Sequence, residues 1–166
     1  GVIMPLPIAK NVTLAVLDRF VPRWAPTGLL DLRREASFVD DMIARVDVRT
    51  WGRGQVVATL SGGNQQKVVF AKLATTKPDV LILHEPTQGV DVHAKVDIYR
   101  IVSEVAEQGA GVLIISSEVR ELLGVCDSIL VMYRGRITQC FARGAPETTP
   151  ENILLAIEGG VPNVTQ

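Results

Sequence analysis

The sequence predicts an α/β fold, with a mostly parallel sheet flanked by helices and an additional helical region that precedes it. Two observations lead to this prediction. From residue 60 onward, short apolar strands alternate with longer helices, which is typical of a parallel sheet covered by helices. Before that point, apolar residues recur at helical spacing. We therefore expect residues 1–58 to form a helical subdomain and residues 59–166 to form an α/β core.

Two helices are predicted in the first region. Asn11 is a possible N-cap of a short helix that runs through residue 20, where prolines follow. Asp31 is a possible N-cap of a longer amphipathic helix that runs to about residue 46. Residues 49–59 contain two glycines and are predicted to be a loop.

The second region is predicted to begin with a helix that Ser61 caps and that ends at about residue 76. Apolar runs then predict two buried strands, at residues 80–84 and 112–116. The remaining elements are helices at about 91–108, 119–123 and 150–157, and a strand pair at 128–133 and 137–141 that turns at 134–135.

Composition narrows the classes of function. Lys and Arg number 17 against 18 Asp and Glu, so no basic excess is available to bind a nucleic-acid backbone. The longest apolar runs are far shorter than the roughly 18 residues of a membrane-spanning helix, and no signal-peptide pattern is visible, so a cytoplasmic setting is expected. The two cysteines, Cys126 and Cys140, lack the spacing of a redox pair or a metal site.

The helix start at residues 60–67 carries the first candidate site and reads LSGGNQQK. It places a hydroxyl and two glycines where free backbone N–H groups and the positive end of the helix dipole favour a phosphate. Glycines also let a phosphate oxygen approach the backbone closely. For Ser-Gly-Gly alone, a plain helix start is an open alternative; the whole octet is much rarer.

The second candidate site is the end of the apolar strand at residues 80–84, because open parallel sheets place ligands at the carboxyl ends of their strands. Glu85 lies there and is able to orient or deprotonate a water molecule. A strand-end glutamate alone is also consistent with a solvated rim residue. Glu85 lies about twenty residues after the candidate phosphate site at residues 60–67, and the two candidates together favour a functional role over a rim residue.

From about residue 8 to 158 the chain resembles the ATP-binding cassettes of ABC transporters, and in particular the second cassette of tandem-cassette ATPases that drive bacterial import of ribose, galactose and xylose. Four segments resemble the family's motifs in order and spacing: its signature at 60–67, its Walker B strand at 80–85, its D-loop at 89–91 and its switch loop at 116–118. Ser117 stands at the switch position, where most cassettes carry His and these sugar-importer cassettes similarly carry Ser.

The resemblance implies a partial P-loop NTPase fold with a RecA-like core, and it assigns roles to particular residues. Nucleotide binding falls to five residues of the signature, namely Ser61, Gly62, Gly63, Asn64 and Gln65. Glu85 would be the catalytic residue and Asp91 would lie at the seam of a cassette dimer. The cofactors implied are ATP and Mg²⁺.

Two departures from the family pattern stand out. The phosphate loop G-x-x-x-x-G-K-[ST] is absent from the sequence, so the chain looks like the C-terminal two thirds of a cassette and is expected to be inactive alone. His84 occupies the place of the Walker B Asp that helps to hold Mg²⁺. A zinc site of His84 and His93 is a weak alternative, since no third ligand is evident.

The function implied is that of an ATP-binding subunit of a sugar importer, peripheral on the cytoplasmic face of the membrane. Its partners would be a second cassette in the same or another chain, transmembrane permease subunits and, indirectly, a periplasmic or extracellular sugar-binding protein, with no nucleic acid. The alternative is a catalytically degenerate cassette that dimerises and completes a partner's ATP site. Trp24 and Trp51 lie in predicted loops, where they either contact the membrane subunit or pack on their own domain.

Overall fold

The structure, a computed structural model, describes residues 1–22 and 29–160, so Trp24 lies outside the described residues. The chain divides into two compact units, Gly1–Leu113 and Ile114–Gln166. The predicted subdomain boundary at residue 58 falls inside the first unit and stays a prediction. None of the helices in the described ranges combines the length and apolar character needed to span a membrane.

The first unit alternates helices and strands after an all-helical beginning. Its elements are helix α1 (Ile8–Thr13), a 3₁₀ helix (Leu14–Phe20), helix α2 (Leu32–Arg45), a 3₁₀ turn (Val57–Thr59), helix α3 (Gly62–Thr76), strand β1 (Val80–His84), helix α4 (Val92–Glu107) and strand β2 (Gly111–Ile115), which reaches the boundary of the unit. Strands β1 and β2 form a parallel pair joined through α4. The predicted α/β class is therefore confirmed.

The second unit is a hairpin packed against two helices. It contains helix α5 (Val119–Val125), strands β3 (Ser128–Tyr133) and β4 (Arg136–Ala142), and helix α6 (Pro150–Ile157). The strands are antiparallel, with Ile129 opposite Phe141, and both side chains are buried. Arg134 and Gly135 both have positive φ (47° and 78°), as a two-residue hairpin turn requires. The predicted turn is confirmed.

The prediction that Asn11 caps a helix is wrong. Helix α1 begins at Ile8, and Asn11 lies inside it with its side chain buried. The Asn11 amide accepts a hydrogen bond from Ile3 N (2.7 Å) and donates to the carbonyl oxygens of Ile3, Leu6 and Pro7. Residues that precede a helix leave backbone groups without partners, and a buried amide in the helix satisfies them.

The prediction that both core strands are buried is also wrong, because β1 is buried on one face only and β2 has no fully buried residue. Along β1, Leu81 and Leu83 are buried, but Val80 and Ile82 are 65% and 64% exposed. This alternation arises because side chains in a strand point to opposite faces, and within the described residues only one face of β1 is covered.

The longer predicted helix of the first region is confirmed as α2, with Asp31 as its N-cap. The Asp31 carboxylate accepts from the backbone N–H groups of Arg33 (3.1 Å) and Arg34 (3.0 Å). On the buried side of α2, Glu35 accepts from Lys10 Nζ (3.2 Å) and from Thr13 Oγ1 (2.8 Å) on α1. A buried carboxylate needs such partners, so this cluster ties α2 to α1.

The Asn11 network generates a stability prediction. Asn11→Ala removes the partner of several backbone groups, so we expect the free energy of unfolding to fall by about 2 kcal/mol in urea titrations. Arg33→Ala, on the exposed side of α2, is the control and should change it by less than about 0.5 kcal/mol. Equal effects of the two substitutions would contradict the role assigned to Asn11.

Candidate functional site

Helix α3 begins where the sequence predicted, but Ser61 does not cap it with its side chain. Ser61 is the N-cap residue, with an extended backbone (φ −63°, ψ 156°), and its hydroxyl accepts no backbone N–H of the first turn. Both Ser61 and Gly62 are exposed. The N–H groups of the first turn have no partner within the helix and lie at the positive end of its dipole, beside these two exposed residues.

The two glycines of the helix start have different surroundings. A Cβ at Gly62 would meet nothing within 4 Å, so that side of the helix start is open. A Cβ at Gly63 would lie 3.2 Å from both Ala94 Cβ and Val90 Cγ1. Gly62 thus leaves room for a ligand, whereas Gly63 lets α3 pack closely against the start of α4. The sequence did not indicate this packing role.

The amide side chains of Asn64 and Gln65 are held by the protein itself. Asn64 Nδ2 donates to Ser61 Oγ (2.9 Å), and Asn64 Oδ1 accepts from the backbone N–H of Arg49 (2.8 Å). Gln65 Nε2 donates to the carbonyl oxygen of Leu60 (3.0 Å). These bonds order the residues around Ser61.

The turn that follows β1 carries the second set of predicted residues. His84 ends the strand and is exposed, and Glu85 is half-buried with a positive φ of 46°. Few residues other than glycine adopt this conformation, and it occurs often at functional sites. Gln66 Nε2 on α3 donates to the carbonyl oxygen of Pro86 (2.8 Å). The turn with Glu85 is therefore in direct contact with α3.

Asp91 closes this turn as the N-cap of α4. Its carboxylate accepts from the backbone N–H of Ala94 (3.0 Å), and this bond lowers the pKa of Asp91 from its ordinary value. A lowered pKa in the folded chain means that the cap stabilises the fold above the ordinary pKa and that its contribution is lost as the pH falls through the lowered value.

Lys67 is a buried residue to which the sequence assigned no role. Its side chain is 6% exposed, and its Nζ lies 2.6 Å from Asp97 Oδ2 on α4 and 2.8 Å from the Asp47 carbonyl oxygen after α2. The available signal was its position, since Lys67 shares the buried side of α3 with Phe70 and Ala71. It connects α3 to both neighbouring segments.

The switch position lies in the second unit. Ser117 is exposed and directly precedes Glu118, the N-cap residue of α5. The Glu118 backbone N–H donates to Ser116 Oγ (3.1 Å). This bond orders the loop that begins α5.

The residues at the end of β1 do not match the donor set of a magnesium ion. Mg²⁺ prefers hard oxygen ligands, and the position next to Glu85 holds an imidazole, that of His84. In the described ranges, no three His, Cys, Asp or Glu side chains are grouped as metal ligands.

The different surroundings of the two glycines lead to a prediction. Gly63→Ala pushes α3 against Val90 and Ala94, and we expect the free energy of unfolding to fall by about 1 to 2 kcal/mol. Gly62→Ala, one residue away in open space, serves as the matched control and should leave stability unchanged or slightly higher, because Ala favours helix. Chemical denaturation of both variants checks this, and a loss of equal size at Gly62 would count against it.

Comparisons with known proteins bear on the same residues. Residues 9–88 match the family model for ABC transporters. The chain is 41% identical over 172 residues to a galactose/methyl galactoside import ATP-binding protein of Clostridium perfringens, with 100% of this chain and 32% of the relative covered. It is 44% identical over 161 residues to a ribose import ATP-binding protein of Bacillus subtilis, with 96% and 31% covered. The chain thus spans about a third of the length of these relatives.

Solved structures show the same fold at lower identity. A dimeric ATP-binding cassette bound to ADP and phosphate, in a post-hydrolysis state, has a TM-score of 0.68 at 19% identity over 87% of this chain and 60% of that one. An ATP-binding subunit of an ABC transporter has a TM-score of 0.70 at 19% identity over 95% and 65%. The chain belongs to the ATP-binding cassettes of the ABC transporter family and is related to the ATP-binding proteins of ribose, galactose and xylose importers.

Proposed function

We propose that the chain is the C-terminal cassette portion of a sugar-importer ATPase subunit, and that it presents the start of α3 to the terminal phosphate of an ATP held mainly by a second cassette. The observation that carries the proposal is the open helix start, where Ser61 and Gly62 are exposed, no side chain caps the first turn and a Cβ at Gly62 would meet nothing within 4 Å. The names of the relatives, import ATP-binding proteins for galactose and ribose, support the sugar-import assignment.

The helix start has the donors that such a phosphate needs. The aligned peptide dipoles of a helix amount to about half a positive charge at its first turn. A hydrogen bond to a charged partner contributes about 1.5 to 3 kcal/mol, roughly twice a neutral one. A hydroxyl and a few N–H groups together are therefore sufficient to favour the binding of ATP over that of ADP, which has no γ-phosphate.

The turn with Glu85 would serve a different nucleotide, the one on its own cassette. In that role the Glu85 carboxylate orients or deprotonates the attacking water, while Asp91 lies at the seam with the second cassette and Ser117 at the switch position. Phosphoryl transfer depends on positioned positive charge, and the sequence contains no phosphate loop to supply it. Within these 166 residues, Glu85 therefore has no complete site on which to act.

His84 favours a second candidate function. An imidazole in place of the strand-end carboxylate weakens the site that contains Glu85, while leaving the start of α3 intact. A cassette of this kind would complete its partner's ATP site without hydrolysing its own nucleotide. Both functions require the same partners: a second cassette, permease subunits at the cytoplasmic face of the membrane and, beyond them, a sugar-binding protein.

The test of the first proposal is photolabelling. In the assembled transporter ATPase, ATP that carries a photoreactive group on its γ-phosphate should label residues 60–66, and Ser61→Ala should reduce the labelling several-fold, because a charge-assisted hydrogen bond is lost. Peptide mapping by mass spectrometry gives the readout. Labelling that never reaches this segment would overturn the proposal.

Restoring the strand-end carboxylate distinguishes the two candidate functions. If His84 impairs hydrolysis, His84→Asp should raise ATP turnover of the assembled ATPase about tenfold or more, because charge placed at the reacting phosphates has effects of that size. His93→Asp makes the same chemical change at an exposed position in the first turn of α4 and should give no gain. Unchanged turnover in His84→Asp would contradict the impairment.

A further inference from the structure

The hydroxyl of Ser61 is held by a side chain instead of capping its own helix. An N-cap serine usually accepts a backbone N–H two or three residues later, and here it accepts none. Its Oγ instead accepts from Asn64 Nδ2 at 2.9 Å, the side chain at the third position of the helix. In the capping box, a common helix start, the side chain at this position accepts a hydrogen bond from the backbone N–H of the N-cap residue. Here the side chain of Asn64 instead donates to the side chain of the N-cap residue.

Arg49 determines which way the Asn64 amide points. The backbone N–H of Arg49 lies 2.8 Å from Asn64 Oδ1, and an N–H group can only donate. The atom that faces Arg49 must therefore be the amide oxygen, which leaves the amide NH₂ to face Ser61. The orientation of the amide follows from hydrogen-bond chemistry, because the reverse orientation would place two donors against each other.

The direction of the Asn64–Ser61 bond determines what the serine hydroxyl offers to a ligand. An amide NH₂ accepts no hydrogen bond, so the Ser61 proton cannot point at Asn64. No acceptor for that proton is found among residues 1–22 and 29–160. The hydroxyl therefore accepts from Asn64 and keeps its proton available to a ligand at this exposed residue. A phosphate oxygen, which only accepts, requires a donor of this kind.

We propose that Asn64 is a positioning residue that keeps the Ser61 hydroxyl as a donor to the γ-phosphate of the nucleotide brought by the second cassette. This inference rests on the proposed function and deepens it. It also changes the role expected from the resemblance, in which Asn64 itself binds nucleotide. Asn64 acts through Ser61, and the loop residue Arg49 acts through Asn64 by its backbone.

A double-mutant cycle on nucleotide affinity tests the proposal. The dissociation constant of the non-hydrolysable analogue AMP-PNP is measured for the assembled ATPase with Ser61→Ala, Asn64→Ala and both substitutions. We expect Ser61→Ala to weaken binding about tenfold or more and Asn64→Ala to weaken it about fivefold. The double variant should bind as weakly as Ser61→Ala alone, because Asn64 has nothing to orient without the hydroxyl.

Two further variants serve as a control and as a substitute for Asn64→Ala. Thr76→Val removes a side-chain hydrogen bond to the Leu73 carbonyl oxygen at the other end of α3 and should leave affinity within about twofold. Asn64→Asp keeps the acceptor for Arg49 and replaces Asn64→Ala if that variant folds poorly. Its carboxylate draws the Ser61 proton inward, and measuring it also in the Ser61→Ala background separates this effect from that of its charge.

The outcomes separate this inference from the proposed function. If the two single effects multiply in the double variant, Asn64 supports the helix independently of Ser61 and the inference is wrong. The inference is equally wrong if Asn64→Ala leaves affinity unchanged while Ser61→Ala lowers it, and in both cases the proposed function stands. If Ser61→Ala itself has no effect on AMP-PNP affinity, the proposed function fails and the inference fails with it.

Discussion

The close approach of α3 to the turn before α4 is the contact on which the candidate site depends. It is possible because Gly63 has no side chain, since a Cβ there would lie 3.2 Å from Val90 and Ala94. Gln66 adds a hydrogen bond to the carbonyl oxygen of Pro86 in the same turn. The helix start proposed for one nucleotide and the Glu85 turn proposed for another are therefore packed together in one unit, and close-packed contacts transmit displacement.

A second contact orients the same helix from its other side. Lys67 is buried between Asp97 on α4 and the carbonyl oxygen of Asp47, which follows α2. A buried ammonium without partners is costly, so both acceptors must remain in place while α3 holds its position. Through this lysine the helical segment before residue 48 is connected to α3. A movement of that segment would therefore displace the start of α3.

The sequence predicted those parts of the fold that local patterns determine. The Asp31 cap of α2 and the turn at Arg134 follow from capping and turn chemistry within a few residues, and the structure has them as predicted. Helix α3 begins at the predicted residue, although the Ser61 side chain does not cap it. The predicted N-cap role of Asn11 is wrong, because the sequence does not distinguish a buried amide inside a helix from a capping amide. The exposed face of β1 could not be foreseen, because an apolar strand gives no indication of which neighbours cover it.

For the candidate site, the motif indicated which residues lie together but not the role of each residue. Gly62 and Gly63 are adjacent and identical, yet one faces open space and the other a packed helix, a difference that depends on tertiary contacts. The direction of the Asn64 amide likewise depends on the backbone of Arg49, fifteen residues away in the chain.

The most direct measurement is an experimental structure of the assembled ATPase with AMP-PNP bound between two cassettes. We expect a γ-phosphate oxygen within hydrogen-bond distance of Ser61 Oγ and of the backbone nitrogens at the start of α3, with Asn64 still bonded to Ser61. A γ-phosphate that lies away from this helix start would contradict the proposed role of α3.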